Sequence, residues 1–255
     1  MSEKHFLTVS EYNKSEQNAM VNIPNRIIEC SSVQTMVKLG YPVSISNTKE
    51  LQKYVDCMHE GRFDSTFDTY IKKLSIHEFD LIKEITETVI NNSNKNYSIP
   101  KLATASLIRS LIIFRMLKFA GLKKNDGVLE IGGGNGYLGA LLACDGYRYI
   151  STDISQAFYL YQNHLMTELL KINEMVEGTN KNLNKLNDIN SKLFIHIPWW
   201  KFYANNEFFE KLKIKFIVTS HMLAETHSNS LRFILKFLKK KLIETNGSFI
   251  FEGWG

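Results

Sequence analysis

The sequence predicts an α/β fold: an open, mostly parallel sheet flanked by helices and preceded by a largely helical N-terminal region. Two observations carry this. The segment DGVLEIGGGNGYLGALLA at 126–143 runs from a short apolar strand through a glycine cluster directly into helical spacing. Strand-length stretches rich in apolar, aromatic or β-branched residues then recur at 147–153, 192–197, 215–219 and 248–252, with helix-like stretches between several of them.

Residues 1–98 carry no nucleotide signature and form the expected accessory helical region. Helices are expected at 47–60 and 77–91, the second with Phe79, Ile82, Ile85 and Val89 on one apolar face. The polar stretch NNSNKNYS at 91–98 is the expected boundary, and Pro100 opens a helix that Gly121 closes near Ala120. The second domain, 99–255, begins there. Its first strand contains Val128, Leu129 and Ile131, and Leu138, Leu141 and Leu142 mark the following helix. A second strand, YRYISTD, ends in Asp153, and a helix runs from 156 to about 175. The Asn/Lys-rich stretch at 178–192 reads as a surface connector into the third strand, which ends in Pro198-Trp199-Trp200. Packing is the commoner fate of such tryptophans, with stacking on a ligand ring as the alternative. The fourth strand, KFIVT, leads into SHMLAETH at 220–227. A helix at 230–243, with Leu231, Ile234, Leu235 and Leu238 on one face, returns to the fifth strand.

At 255 residues and 44% hydrophobic, the chain can bury a substantial core. Cys30, Cys57 and Cys144 are scattered without a Cys-x-x-Cys pair, which fits a reducing cytoplasm. No signal peptide pattern opens the chain, and Arg109, Arg115 and Lys118 interrupt its longest apolar stretch, so no membrane association is expected. The net charge of +5 is spread along the chain, and Lys239-Lys240-Lys241 reads as a solvated helix end rather than a nucleic-acid patch. No zinc-ligand spacing occurs.

Glycines at 132, 134 and 136 allow the backbone to turn sharply and approach a ligand at a helix N-terminus. Gly134-x-Gly136-x-x-Gly139, with Asp153 further on, also fits the dinucleotide fingerprint. Glu130 stands before the glycines where dinucleotide enzymes usually carry an apolar residue, and this favours another reading. The segment resembles the first motif of class I S-adenosylmethionine-dependent methyltransferases. The resemblance implies that Glu130 holds the amino end of the cofactor and that Asp153, 23 residues on, holds the ribose hydroxyls. Gly132, Gly134, Gly136, Ile154, Ile197 and Ser220 complete the implied cofactor site. The implied fold is a Rossmann-like class I methyltransferase sheet. That sheet adds a helix and an antiparallel hairpin after its fifth strand, for which no residues remain here, so the chain reads as a fragment of a longer protein, with a departure from the family as the alternative.

The exit of the fourth strand argues against two classes of methyl acceptor. Neither the Asn/Asp-Pro-Pro-Tyr/Phe motif of amino-group methylation nor a Pro-Cys nucleophile stands there. Residues 100–255, through Glu130-Ile131-Gly132-Gly133-Gly134, Asp153, Ile197-Pro198-Trp199 and Ser220 to Glu225, resemble a bacterial family of sugar O-methyltransferases found with polysaccharide biosynthesis. Thr226 stands where that family has Met. The implied substrate is a sugar, a nucleotide sugar or another small hydroxylated metabolite. A hydroxyl needs a base, and imidazole, with its ordinary pKa near ~6.5, suits that role. His221 is the first candidate, with Glu225 and His227 as alternatives. Glu225 and Glu252 are the only carboxylates expected near the mouth after the fourth strand, and no Asp-Asp pair accompanies them, so no metal is expected. Three alternatives stay open: a degenerate module without turnover, an NAD(P)-binding oxidoreductase, and a His221 that only bonds backbone. Homo-oligomerisation also stays open.

Overall fold

The computed structural model describes residues 4–30, 44–51, 73–96, 104–179, 183, 188–204 and 206–253. Strands β1 (Gly127–Ile131) and β2 (Arg148–Asp153) are buried along their whole length, their polar residues Glu130, Arg148, Ser151 and Asp153 included. Further strands are β3 (Met175–Glu177), β4 (Phe194–Pro198), β5 (Ile214–Ser220) and β6 (Ser248–Glu252). They form one sheet in the order β3-β4-β2-β1-β5-β6, and every pairing is parallel. The predicted fold class is therefore found at the level of a Rossmann-like parallel sheet.

Helices α1 (Val9–Met20), α2 (Asn25–Cys30), α3 (Ile76–Asn96) and α4 (Thr104–Phe119) precede the sheet. Helix α5 (Tyr137–Cys144) follows β1, and α6 (Gln156–Leu169) follows β2. Helices α7 (Trp199–Ala204) and α8 (Asn206–Lys211) separate β4 from β5. The short α9 (Met222–Glu225) and the long α10 (Ser228–Thr245) separate β5 from β6. Helix α4 ends as expected at Gly121, which takes φ +89° while Leu122 N–H bonds back to Leu117 O at 3.0 Å.

Several elements differ from the sequence reading. Helix α3 continues to Asn96, through the polar stretch expected to end it, because Asn92 and Ser93 are buried and Asn96 Nδ2 bonds Asn92 O at 3.0 Å. Its buried stripe is Leu81, Ile85 and Val89, and Phe79 faces solvent. Leu235 likewise lies outside the stripe of α10, which buries Ile234 and Leu238. The predicted helix at 156–175 stops at Leu169, and Met175 instead opens the short edge strand β3. In the expected surface connector, Leu183 and Ile189 are buried. Of the predicted helix at 47–60, Asn47 lies in a bend, Thr48–Leu51 is a 3-10 turn and 52–60 lie outside the described residues.

Leu7, Tyr12, Leu81, Ile85 and Val89 belong to the same apolar cluster as Val128, Ile150, Phe194 and Ile217. The described N-terminal helices thus share one core with the sheet. No helix among the described residues is long and apolar enough to cross a membrane.

Candidate functional site

The chain leaves β1 for β2 and the strands beyond it, then crosses to β5 on the other side of β1. In parallel sheets a ligand crevice opens at such a reversal, beyond the carboxyl ends of the strands. Glu130 and the glycine turn end β1, Asp153 and Ile154 end β2, and Ser220 and His221 end β5. Asp153 is in register with Pro198, and Ser220 with Glu252. The predicted cofactor residues are therefore brought to one edge of the sheet. Ile197 is fully buried, so only its backbone can line that edge.

The glycine turn is built by close approach. Gly132 N–H extends the ladder by donating to Thr152 O at 2.8 Å, and its φ of +77° disfavours any other residue. A Cβ there would also lie 2.6 Å from Met222 Cγ, so the segment after β5 packs directly on the turn.

Glu130 is 4% exposed, and Tyr149 on β2 donates its hydroxyl to Glu130 Oε2 at 2.6 Å. Burial pushes the Glu130 carboxyl up to about 8, with Asp153 and Glu252 adding to the rise and Tyr149 opposing it. Asp153 is 6% exposed and accepts from Ser155 N–H at 2.9 Å and Gly134 N–H at 3.1 Å. Burial raises it to about 7 against those backbone bonds. Gln162 on α6 joins the parts: its Nε2 donates to Gly134 O at 2.8 Å, and its Oε1 accepts from Ser151 at 2.5 Å. Two buried carboxylates thus flank one glycine turn, and both are held short of full ionisation at neutral pH.

Buried polar atoms without a hydrogen-bond partner among the described residues gather at this mouth. They include Asn135 Nδ2 in the glycine turn, Thr219 Oγ1 and Ser220 Oγ on β5, and Glu252 Oε2 on β6. Such atoms are rare because each costs about 1–3 kcal/mol. Donors beside buried carboxylates suit a small polar ligand that brings positive charge, hydroxyls and a carboxylate.

His221 takes φ +58°, a left-handed conformation uncommon for a histidine. Its N–H donates to Glu252 O at 2.8 Å, and its Nε2 lies 3.7 Å from Glu252 Oε1. The same Glu252 oxygen is 3.2 Å from Arg109 Nε on α4. Glu225 is partly buried, which raises its carboxyl. His227 is engaged structurally, because its Nδ1 accepts from Asn229 N–H at 3.3 Å and caps α10. Trp199 and Trp200 are buried, and Trp199 Nε1 donates to Glu16 Oε1 at 2.6 Å. Among the described residues no cluster of His, Cys, Asp and Glu could hold a metal ion.

Sequence reasoning passed over Asn135, Tyr149, Gln162 and Arg109, and weighed Glu252 only as a metal ligand. Tyr149 left a signal: Tyr149, Ser151 and Asp153 alternate along one strand and so share a face. Gln162 and Arg109 reach the site from other elements and left none.

No protein-family model matches the chain, and no curated protein matches it.

Proposed function

We propose that this protein is an S-adenosylmethionine-dependent methyltransferase acting on a hydroxyl group of a sugar, a nucleotide sugar or a similar small metabolite. The observation that carries the reading is the pair of buried carboxylates, Glu130 and Asp153, on either side of the glycine turn. Each is costly to bury alone, and each gains from a ligand with a cationic end and two vicinal hydroxyls. Glu130, aimed by Tyr149, would hold the ammonium, Asp153 the ribose, and Asn135 Nδ2 the ligand's carboxylate.

When bound, the cofactor supplies an electrophilic methyl group. The protein has to align the acceptor oxygen and take its proton, and alignment alone lowers such barriers by several kcal/mol. His221, on the turn that abuts Gly132, is the group to accept that proton on its imidazole. Glu252, fixed by Arg109, is placed to stabilise the imidazolium that results. Partly buried Glu225 would accept hydrogen bonds from acceptor hydroxyls. The likeness to sugar O-methyltransferases in the 220–225 segment supports the acceptor class.

The dinucleotide reading has one observation in its favour: Gly139 sits where its Cβ would lie 2.1 Å from the Tyr149 ring, the helix–strand packing role of the last fingerprint glycine. Electrostatics oppose it. A pyrophosphate at the N-terminus of α5 would share the crevice with Glu130, Asp153, Glu225 and Glu252, where burial first, and then Asp153 and Glu252 on Glu130 and Glu225 on Asp153, already disfavour negative charge.

Calorimetric titration with S-adenosylmethionine, S-adenosylhomocysteine and NAD tests the proposal. Binding of the first two without NAD, followed by methyl transfer to a nucleotide sugar, is the expected result. Binding without turnover on any hydroxylated acceptor would make the chain a cofactor-binding module, and NAD binding alone would overturn the reading.

A further inference from the structure

Helix α1 reaches the same mouth from the N-terminal region. Its approach is fixed along α6: Leu7 N–H donates to Asn163 Oδ1 at 2.9 Å, His164 Nε2 donates to Leu7 O at 2.9 Å, and Gln156 Nε2 donates to Asn13 Oδ1. Gln156 opens α6 only three residues after Asp153, so α1 runs toward the end of β2. One turn beyond Asn13, Glu16 accepts from Trp199, the residue that follows β4.

Tyr12 lies on this helix between Tyr159 and Trp200, with ring centroids 5.3 and 5.1 Å away. It is fully buried, and its hydroxyl has no partner in hydrogen-bond geometry among the described residues. Burial raises that hydroxyl well above its ordinary value, and the charges of Glu16, Asp153 and Glu177 raise it further against the opposing pull of the nearby Trp199 N–H, which is already given to Glu16. Tyr12 is thus within electrostatic reach of Asp153. Glu16 is itself partly buried and raised by that burial. A protein gains nothing in stability from an unpartnered buried hydroxyl, whereas phenylalanine fills the same space. A ligand is the explanation that accounts for both the hydroxyl and its place.

We propose that α1 forms the wall of the nucleoside end of the site, with Tyr12 and Glu16 as ligand-binding residues. The Tyr12 hydroxyl donates to a ribose oxygen held by Asp153. Glu16, whose Oε1 is engaged by Trp199, accepts through Oε2 from an N–H of the heterocycle. The ligand class is a purine nucleoside bearing an amino group, and the inference rests on the cofactor reading above.

The test uses the whole chain and S-adenosylhomocysteine as the probe, with Tyr12→Phe and Glu16→Gln as variants. Glu16→Gln keeps an acceptor for Trp199 and replaces the second oxygen by a donor. Each variant is expected to weaken affinity by roughly tenfold, with the thermal midpoint of the ligand-free protein unchanged or raised for Tyr12→Phe. Wild-type affinity in both variants, while the unaltered chain binds the probe, would overturn the assignment and leave the cofactor reading intact. Failure of the unaltered chain to bind the probe would overturn both.

Discussion

Tyr149 and Glu130 form a hydrogen bond of 2.6 Å between adjacent strands, and it ties the architecture of the site to its chemistry. The Tyr149 ring is fully buried, stacks on Phe194 with an interplanar angle of 10°, and is the surface on which α5 packs at Gly139. Its hydroxyl lies 2.8 Å from the position a Cβ on Gly133 would take. One side chain therefore sets how closely α5 and the glycine turn approach the sheet, and where the Glu130 carboxylate points.

Tyr149→Phe keeps the packing and removes the hydroxyl, so its effect should fall on ligand binding. We expect affinity for S-adenosylhomocysteine to drop by roughly tenfold, consistent with loss of a hydrogen bond to a charged group worth about 1.5–3 kcal/mol. Glu130→Gln and Asp153→Asn should each cost tenfold or more. Because Tyr149 acts through Glu130, Tyr149→Phe/Glu130→Gln should be little worse than Glu130→Gln alone. Full additivity in that cycle, measured by calorimetry, would separate the tyrosine from the ligand.

Proton linkage follows from the two raised carboxyls. Glu130 and Asp153 ionise near ~4 in an unfolded chain, but near about 8 and about 7 in the folded one. Between these limits the folded state holds protons that the unfolded state has lost, so ligand-free stability should be greatest near pH ~4 from these groups and fall as pH rises toward about 8. A cationic ligand favours the ionised carboxylates, so binding should release between about one and two protons at pH ~6.5 and tighten as pH rises. Titration in two buffers of different ionisation enthalpy measures that number. Zero release would sink the assignment of Glu130 to the ligand's ammonium and of Asp153 to its ribose hydroxyls.

His221 carries two separable costs, one chemical and one conformational. Replacement by Ala removes the base and should lower turnover by about 10²–10⁴-fold, with affinity for S-adenosylhomocysteine unchanged. The φ of +58° burdens Ala as it burdens His, whereas Gly adopts it freely. His221→Gly should therefore be about 1 kcal/mol more stable than His221→Ala by denaturant unfolding, and equally inactive. If His221→Ala retains full turnover on an accepted substrate, His221 is a backbone device that closes β5 onto Glu252.

The parts of the fold legible in the sequence are those whose signals are local. The run at 126–143 holds strand, turn and helix in one stretch, and β6 lies at the residues its apolar run marked, Ser248–Glu252. Strand β3 was hidden because three residues are too few to show alternation. Helix α3 outran its expected end because Asn92 and Ser93 found buried places that composition cannot reveal. The site divides in the same way. Glu130 and Asp153 stand at strand ends beside a glycine cluster, whereas the link from Glu16 to Trp199 joins residues 183 positions apart. No periodicity announces a contact of that span.

Gly139→Ala tests the packing that underlies the whole arrangement. An added Cβ would stand 2.1 Å from Tyr149 Cε1 and 2.7 Å from Met166 Cε, and both side chains are fully buried. Met166 can bend away, but the Tyr149 ring is held by its stack on Phe194 and its bond to Glu130. Relief must therefore come from moving α5 off the sheet, at an expected cost of about 1–3 kcal/mol in unfolding free energy. Since α5 begins at the glycine turn, the same displacement should widen the approach to Glu130 and weaken S-adenosylhomocysteine binding along with stability. A variant that loses stability while keeping wild-type affinity would show that the helix adjusts without moving the turn.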